Sequence, residues 1–229
     1  MKKNNGNFNP FDYPEIKELF GVLLDRLFTE SGRGALLIAT TLVDEHLTKL
    51  IESILPFESN KQHKEKLFKY PGQLSSFSSR IELAYAFRLI SKTLYDSLNA
   101  LRKVRNDAAH SPNKFELHEL NEKLKLVYNL GPGFSNFIKN ISTETIVKHK
   151  LDIVKDVIDK SELDDKSKQQ IFEDTITDKE GIAIMEKQVP FLELSFGLSF
   201  LCGMMSYEKH NIMKLKENMT TIGSLVNRK

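Results

Sequence analysis

Apolar residues along the chain recur with a helical period. From Ile16 they fall at Leu19, Phe20, Leu23, Leu24, Leu27 and Phe28, the i, i+3, i+4, i+7 stripe of an amphipathic helix. Pro14 stands just inside the start of this helix, where its missing N–H costs nothing. Ser31, Gly32 and Gly34 interrupt the pattern, and a second long helix is predicted over residues 35–55, ended by Pro56. Residues 57–72 are polar and finish in Pro71-Gly72, which reads as a loop with room for a short helix.

Ser78 or Ser79 is the expected cap of a third core helix containing Ile81, Leu83, Ala84, Phe87 and Leu89. Ser91 then caps a helix with Leu94, Tyr95, Leu98 and Leu101 on one face. That helix is expected to stop near His110, because Pro112 disfavours helical geometry at Ser111. Residues 117–130 are helical again, and Gly131-Pro132-Gly133 marks a break. Beyond it the pattern predicts a short apolar segment (134–141), a helix from Thr143 to about Asp159, a polar helical stretch to about residue 180, and an apolar segment with a basic tail from Ile182. No strand alternation and no repeat interrupts this series. The expected fold is all-α, a multi-helix bundle with a core domain over 1–130 and a helical extension over 134–229 packed on it.

Composition changes this picture little. The 229 residues are 40% hydrophobic and 28% charged with a net charge of +2, an ordinary globular balance too weak to diagnose nucleic-acid binding by itself. The one cysteine, Cys202, excludes an intrachain disulfide and fits a cytoplasmic setting. The N-terminus carries charge with no apolar segment behind it, so no signal peptide is expected. The most apolar stretch, residues 189–207, is just long enough to span a bilayer. It contains Glu193, three serines and two glycines, so a buried helix or a subunit contact is expected and no membrane partner.

The segment richest in candidate chemistry runs from Leu98 to His110. It gathers Arg102, Lys103 and Arg105 within four residues and sets the small Ala108 and Ala109 before His110. Cleavage of RNA through its 2′-hydroxyl needs a group of near-neutral pKa to move a proton, and histidine is the natural one. It also needs a cation against the charge building on the phosphate, a role suited to arginine. It requires no metal, and neither zinc spacing nor a metal-binding carboxylate pair occurs; no cofactor is expected. On a helix Arg102, Asn106 and His110 share a face, whereas Arg105 and His110 stand roughly 140° apart. Convergence of that pair needs a frayed helix end, an Arg105 that reaches round, or a two-fold dimer that brings two copies of the motif together. The same run also fits a plain solvated helix face with His110 at the last carbonyls.

Three blocks of sequence narrow the choice. Arg33-Gly34-Ala35 through Leu42-Val43-Asp44-Glu45 resembles the Arg-Gly…Leu-Asp-Glu helix of proteins like the mannitol operon repressor (MtlR). Residues 76–90, Ser-Phe-Ser-Ser-Arg-Ile-Glu-Leu-Ala-Tyr-Ala-Phe-Arg-Leu-Ile, are similar to that family's second block. Leu101-Arg102-Lys103-Val104-Arg105-Asn106-Asp107-Ala108-Ala109-His110 is similar to its third. The blocks keep the family's order over residues 30–112. Arg88 replaces the family's usual glycine and Ala108 its bulky aromatic. The third block also resembles the Arg-x(4–6)-His motif of HEPN ribonucleases. That resemblance implies an all-helical fold, Arg105 and His110 as ribonuclease residues with Asn106 in the polar position after the arginine, a homodimer that forms the active cleft, and a role as toxin or in phage defence.

Arg102 and Lys103 are expected to assist RNA binding. Arg33 and Arg80 are expected either to contact phosphate or to tie helix ends together. Asp44 and Glu45 are candidates for a buried ion pair or for orienting Arg80 or Arg105. His46 lacks a second histidine at ligand spacing, and Cys202 reads as a buried thiol. Lys209, Lys214, Lys216, Arg228 and Lys229 make the C-terminal end basic. Three functions stay open: a metal-independent endoribonuclease acting on RNA, a non-catalytic MtlR-like regulator that binds nucleic acid or protein partners, and a dimeric scaffold. The C-terminal helices are candidates to bind a protein inhibitor or regulatory partner, to gate a cleft or to extend a dimer.

Overall fold

The computed structural model describes residues 8–55, 61–110 and 116–218. These form nine α-helices and two short 3-10 turns, with no strand among the described residues, so the protein is all-α. A 3-10 turn, Pro10–Asp12, leads into α1 (Pro14–Leu27), which opens on Pro14 as the pattern predicts. Next comes α2 (Gly32–Ile54). The Ser31 hydroxyl accepts a hydrogen bond from the Gly34 N–H at 3.2 Å, so the break at 31–34 is a helix start rather than a loop. α3 (Lys61–Phe68) supplies the short helix expected in the polar segment. Pro56 and residues 57–60 lie outside the described residues.

α4 (Phe77–Ala86) is capped by Ser76, not by Ser78 or Ser79, and the Ser76 Oγ accepts from the Ser79 N–H at 3.0 Å. It stops earlier than the apolar pattern suggests, leaving Phe87 and Leu89 outside. The reason is a Schellman closure. The Leu89 N–H donates to the Ala84 carbonyl at 2.8 Å and the Arg88 N–H to the Tyr85 carbonyl at 2.9 Å, with Arg88 at φ 56°. α5 (Lys92–His110) begins on the expected Ser91 cap, whose Oγ accepts from the Leu94 N–H at 3.2 Å. It stays helical to His110; Ser111 and Pro112 lie outside the described residues.

A 3-10 turn, Leu117–Leu120, precedes α6 (Asn121–Val127). α7 (Phe134–Asp159) is one continuous helix, not an apolar segment followed by a separate helix. Ser142 and Thr143 do not break it, because their hydroxyls donate to the carbonyls of Ile138 and Lys139 at 2.7 and 2.9 Å. α8 (Asp165–Thr177) is the polar helix. α9 (Lys179–Asn218) then takes in the whole apolar segment, with Pro190 inside it.

α9 is the centre of the molecule. It packs along α2, α7 and α1. Leu194, Leu198, Leu201, Cys202 and Met205 of α9 join Ile16, Leu23 and Leu27 of α1 and Leu36, Val43, Leu47 and Leu50 of α2 in a single core. That core draws on residues from both sides of the Gly131-Pro132-Gly133 break. α9 is long and apolar enough to cross a membrane by length and composition, yet 72% of its most apolar window is buried against the rest of the protein. Two of the C-terminal lysines are structural. Lys209 pairs with Glu15 at 3.3 Å, and the Lys216 Nζ donates to the carbonyls of Ser53 and Leu55 at 3.0 and 2.6 Å, closing the end of α2. Arg228 and Lys229 lie outside the described residues.

Candidate nucleic-acid interface

α2 and α4 both pack on α5, and a polar groove of about 410 Å³ opens between the three. α5 contributes Arg102, Arg105 and Asn106, spaced i, i+3, i+4 so that they share a face. α2 contributes Thr40, Thr41 and Asp44. The turn into α4 and its first residues add Ser75, Ser76, Ser78 and Arg80.

Hydrogen bonds decide which of these groups are available to a ligand. Every nitrogen of the Arg80 guanidinium is engaged: Nε donates to Asp44 Oδ1 at 2.7 Å, Nη2 to Asp44 Oδ2 at 2.5 Å and Nη1 to the Leu74 carbonyl at 2.5 Å. At 8% exposure Arg80 ties α4 and its preceding turn to α2. Thr40 and Thr41 donate to the carbonyls of Leu36 and Leu37 at 2.8 and 3.0 Å, so they offer the groove oxygen lone pairs and no proton. Arg102 uses Nε on Asn99 Oδ1 at 3.3 Å. Arg105 is exposed, and its Nη1 donates to Asn106 Oδ1 at 3.1 Å, which fixes the Asn106 carboxamide. Arg102 and Arg105 are thus the cations of the groove lining that keep nitrogens not bonded within the protein.

The other sequence candidates are spread out. His110 is exposed at the last residue of α5 and does not line the groove. Because α5 does not fray, Arg105 and His110 stay on different sides of the helix within one chain. Lys103 faces a second groove of about 540 Å³ between α5 and α6, near the Lys123–Asp107 ion pair of 2.5 Å. Arg33 lies half-buried in the first turn of α2, away from the α5 groove. Glu45 is exposed, and Asp44 is the carboxylate that meets Arg80. His46 is half-buried, with Nδ1 2.9 Å from the Leu42 carbonyl, and burial holds its pKa below the usual imidazole value. Among the described residues no three His, Cys, Asp or Glu side chains gather as a metal site.

Sequence reasoning missed the hydroxyl wall of the groove, Thr40, Thr41, Ser75, Ser76 and Ser78. The run of serines over 75–79 was its visible trace, read only as a helix cap. No family model matches the chain, and neither a curated protein nor a solved structure matches it.

Proposed function

We propose that the protein is a metal-independent endoribonuclease of the HEPN type, built on an MtlR-like helical core. The observation that carries this reading is the joint presentation of Arg102, Arg105 and Asn106 to one polar groove, with His110 exposed one turn beyond Asn106 on the same helix. The RNA phosphate takes the remaining guanidinium donors of Arg102 and Arg105, geometry suited to bidentate phosphate contacts. His110 removes the proton from the 2′-hydroxyl, whose oxygen attacks the adjacent phosphorus as the 5′-oxygen leaves and takes a proton from water, giving a 2′,3′-cyclic phosphate and a 5′-hydroxyl. Arg105 offsets the charge that builds on the phosphate. A second copy related by a two-fold axis supplies its own His110 to the Arg105 of the first, which meets the separation of these residues within one chain. Arg80 then acts as the tie that holds the groove walls, and Lys103 and Arg33 as outlying cations along the RNA path.

A second reading is favoured by the position of His110 outside the groove: the same arginines bind nucleic acid without cleaving it, as in a regulator. Apolar side chains exposed on the C-terminal helices, Ile153 and Val157 of α7, Ile171 of α8 and Ile184 of α9, offer such a regulator a protein-docking surface. The two readings separate on RNA cleavage in excess EDTA by the wild type and His110→Ala. The ribonuclease loses cleavage and keeps RNA binding in the variant, whereas the regulator cleaves in neither form.

A further inference from the structure

A cavity of about 690 Å³ lies between the N-terminal 3-10 turn, the start of α7 and the second half of α9. Its size falls within the range that holds small organic ligands. Five aromatic rings line it: Phe8, Tyr13, Phe134, Phe200 and Tyr207. Phe8 and Tyr207 meet edge to face with centroids 6.0 Å apart, and Phe134 and Phe200 do the same at 5.0 Å. An edge-to-face pair leaves the faces of one ring uncovered by its partner, and those faces carry the negative end of the ring quadrupole. Phe8 and Tyr207 are among the most exposed large apolar side chains of the N-terminal turn and α9, at 43% and 45%.

Two carboxylates, Asp12 and Glu208, also line it, together with Asn9, Leu130 and Met204, and no lysine or arginine belongs to it. Neither carboxylate has an ion-pair partner among the described residues. The nearby Lys209 is engaged by Glu15 at 3.3 Å, and His210 leans on the Tyr13 ring at 5.1 Å outside the lining. The Tyr13 phenol is pushed above its ordinary pKa first by burial, then by Tyr207, Asp12, Glu15 and Glu208.

We propose that this cavity binds a small organic cation of the alkylammonium class, held by cation–π contact with the Phe8 and Tyr207 rings and by the charges of Asp12 and Glu208. The residues exclude the other ligand classes. A neutral apolar ligand gives the two carboxylates no counter-charge. An anion, RNA phosphate included, meets like charge at Asp12 and Glu208. A bare metal ion lacks the three or more clustered ligands it needs and makes no use of five rings. The site is independent of the ribonuclease reading, since none of its residues belongs to the α5 groove.

The test is calorimetric titration of the full chain with choline, tetramethylammonium and spermidine. Tyrosine fluorescence serves as a second readout, clean because the chain has no tryptophan. The decisive control is 3,3-dimethylbutan-1-ol, the uncharged isostere of choline. A saturable 1:1 isotherm is expected for at least one cation, with choline binding at least about tenfold tighter than the isostere. Glu208→Gln and Tyr207→Leu, each with unchanged far-ultraviolet circular dichroism, are expected to weaken the cation that binds by a similar factor. Equal binding of choline and its isostere overturns the proposal, as does cation binding that both variants leave intact. Failure of all three cations to saturate below about 10 mM overturns it too.

Discussion

The Arg80 guanidinium grips Asp44 through two hydrogen bonds, Nε to Oδ1 at 2.7 Å and Nη2 to Oδ2 at 2.5 Å, while its third nitrogen holds the Leu74 carbonyl. Both side chains are largely withdrawn from water, 10% exposed for Arg80 and 23% for Asp44. Removing the carboxylate charge leaves a buried guanidinium without its counter-ion. Asp44→Asn is therefore expected to lower the unfolding free energy by about 3 kcal/mol, read from urea denaturation at constant slope. A loss below about 1 kcal/mol contradicts a buried clasp and describes a solvated pair.

Arg88 occupies the left-handed turn that closes α4, at φ 56°, a conformation that favours glycine. A Cβ in this region costs about 1–2 kcal/mol, and the gain on removing it is trimmed by the freer unfolded chain of a glycine. Arg88→Gly is expected to stabilise the protein by about 1 kcal/mol. Calorimetric melting checks this as a rise in Tm, and a fall shows that the Arg88 side chain makes a stabilising contact.

The Tyr128 ring lies flat in the space that a side chain at Gly197 of α9 requires, and an added Cβ overlaps ring atoms Cδ1 and Cε1. Tyr128 is 1% exposed and has little room to retreat. Gly197→Ala gains helix propensity and still loses about 1 to 2 kcal/mol through overpacking. Adding Tyr128→Leu to Gly197→Ala is expected to cost less than the sum of the two single changes, a coupling that a double-mutant cycle in denaturant measures.

Burial raises the Glu193 pKa against the opposing pull of Lys139 and Lys125. A carboxyl whose folded pKa stands above its unfolded value binds its proton more tightly in the native state. Its contribution to stability is full below the ordinary value of 4.5 and is lost as pH rises through the raised folded value. Glu193→Gln is thus expected to be more stable than the wild type at neutral pH, with the difference shrinking on acidification. Denaturation curves for the two proteins at several pH values check the sign. A constant offset across pH contradicts it.

Much of the bundle was legible because single-face stripes such as Ile16, Leu19, Leu23 and Leu27 encode which side of a helix is buried. The cap at Ser91 was equally readable, since a hydroxyl before an apolar run has few other uses. Two features were not. Serine and threonine inside α7 read as punctuation, yet there they bond their own helix. The early end of α4 depends on Arg88 taking a conformation that sequence assigns to glycine. At the candidate site, helical spacing put Arg102 and Asn106 on one face with His110, whereas the groove takes Arg105 in place of His110. The pairing of Arg80 with Asp44, 36 residues away, was among the options the sequence offered for both residues, and the packing of α4 on α2 decides between them.

The central claim is tested most directly by incubating mixed tRNA and unstructured RNA with wild type, His110→Ala and Arg105→Gln in excess EDTA, each shown to be folded. The account predicts cleavage by the wild type, loss of about 100-fold or more in either variant, and partial recovery when the two variants are mixed, because a mixed dimer restores one intact pair of Arg105 and His110. Cleavage that survives both substitutions, or no cleavage by any of the three while RNA is still bound, contradicts the ribonuclease and leaves a nucleic-acid-binding regulator.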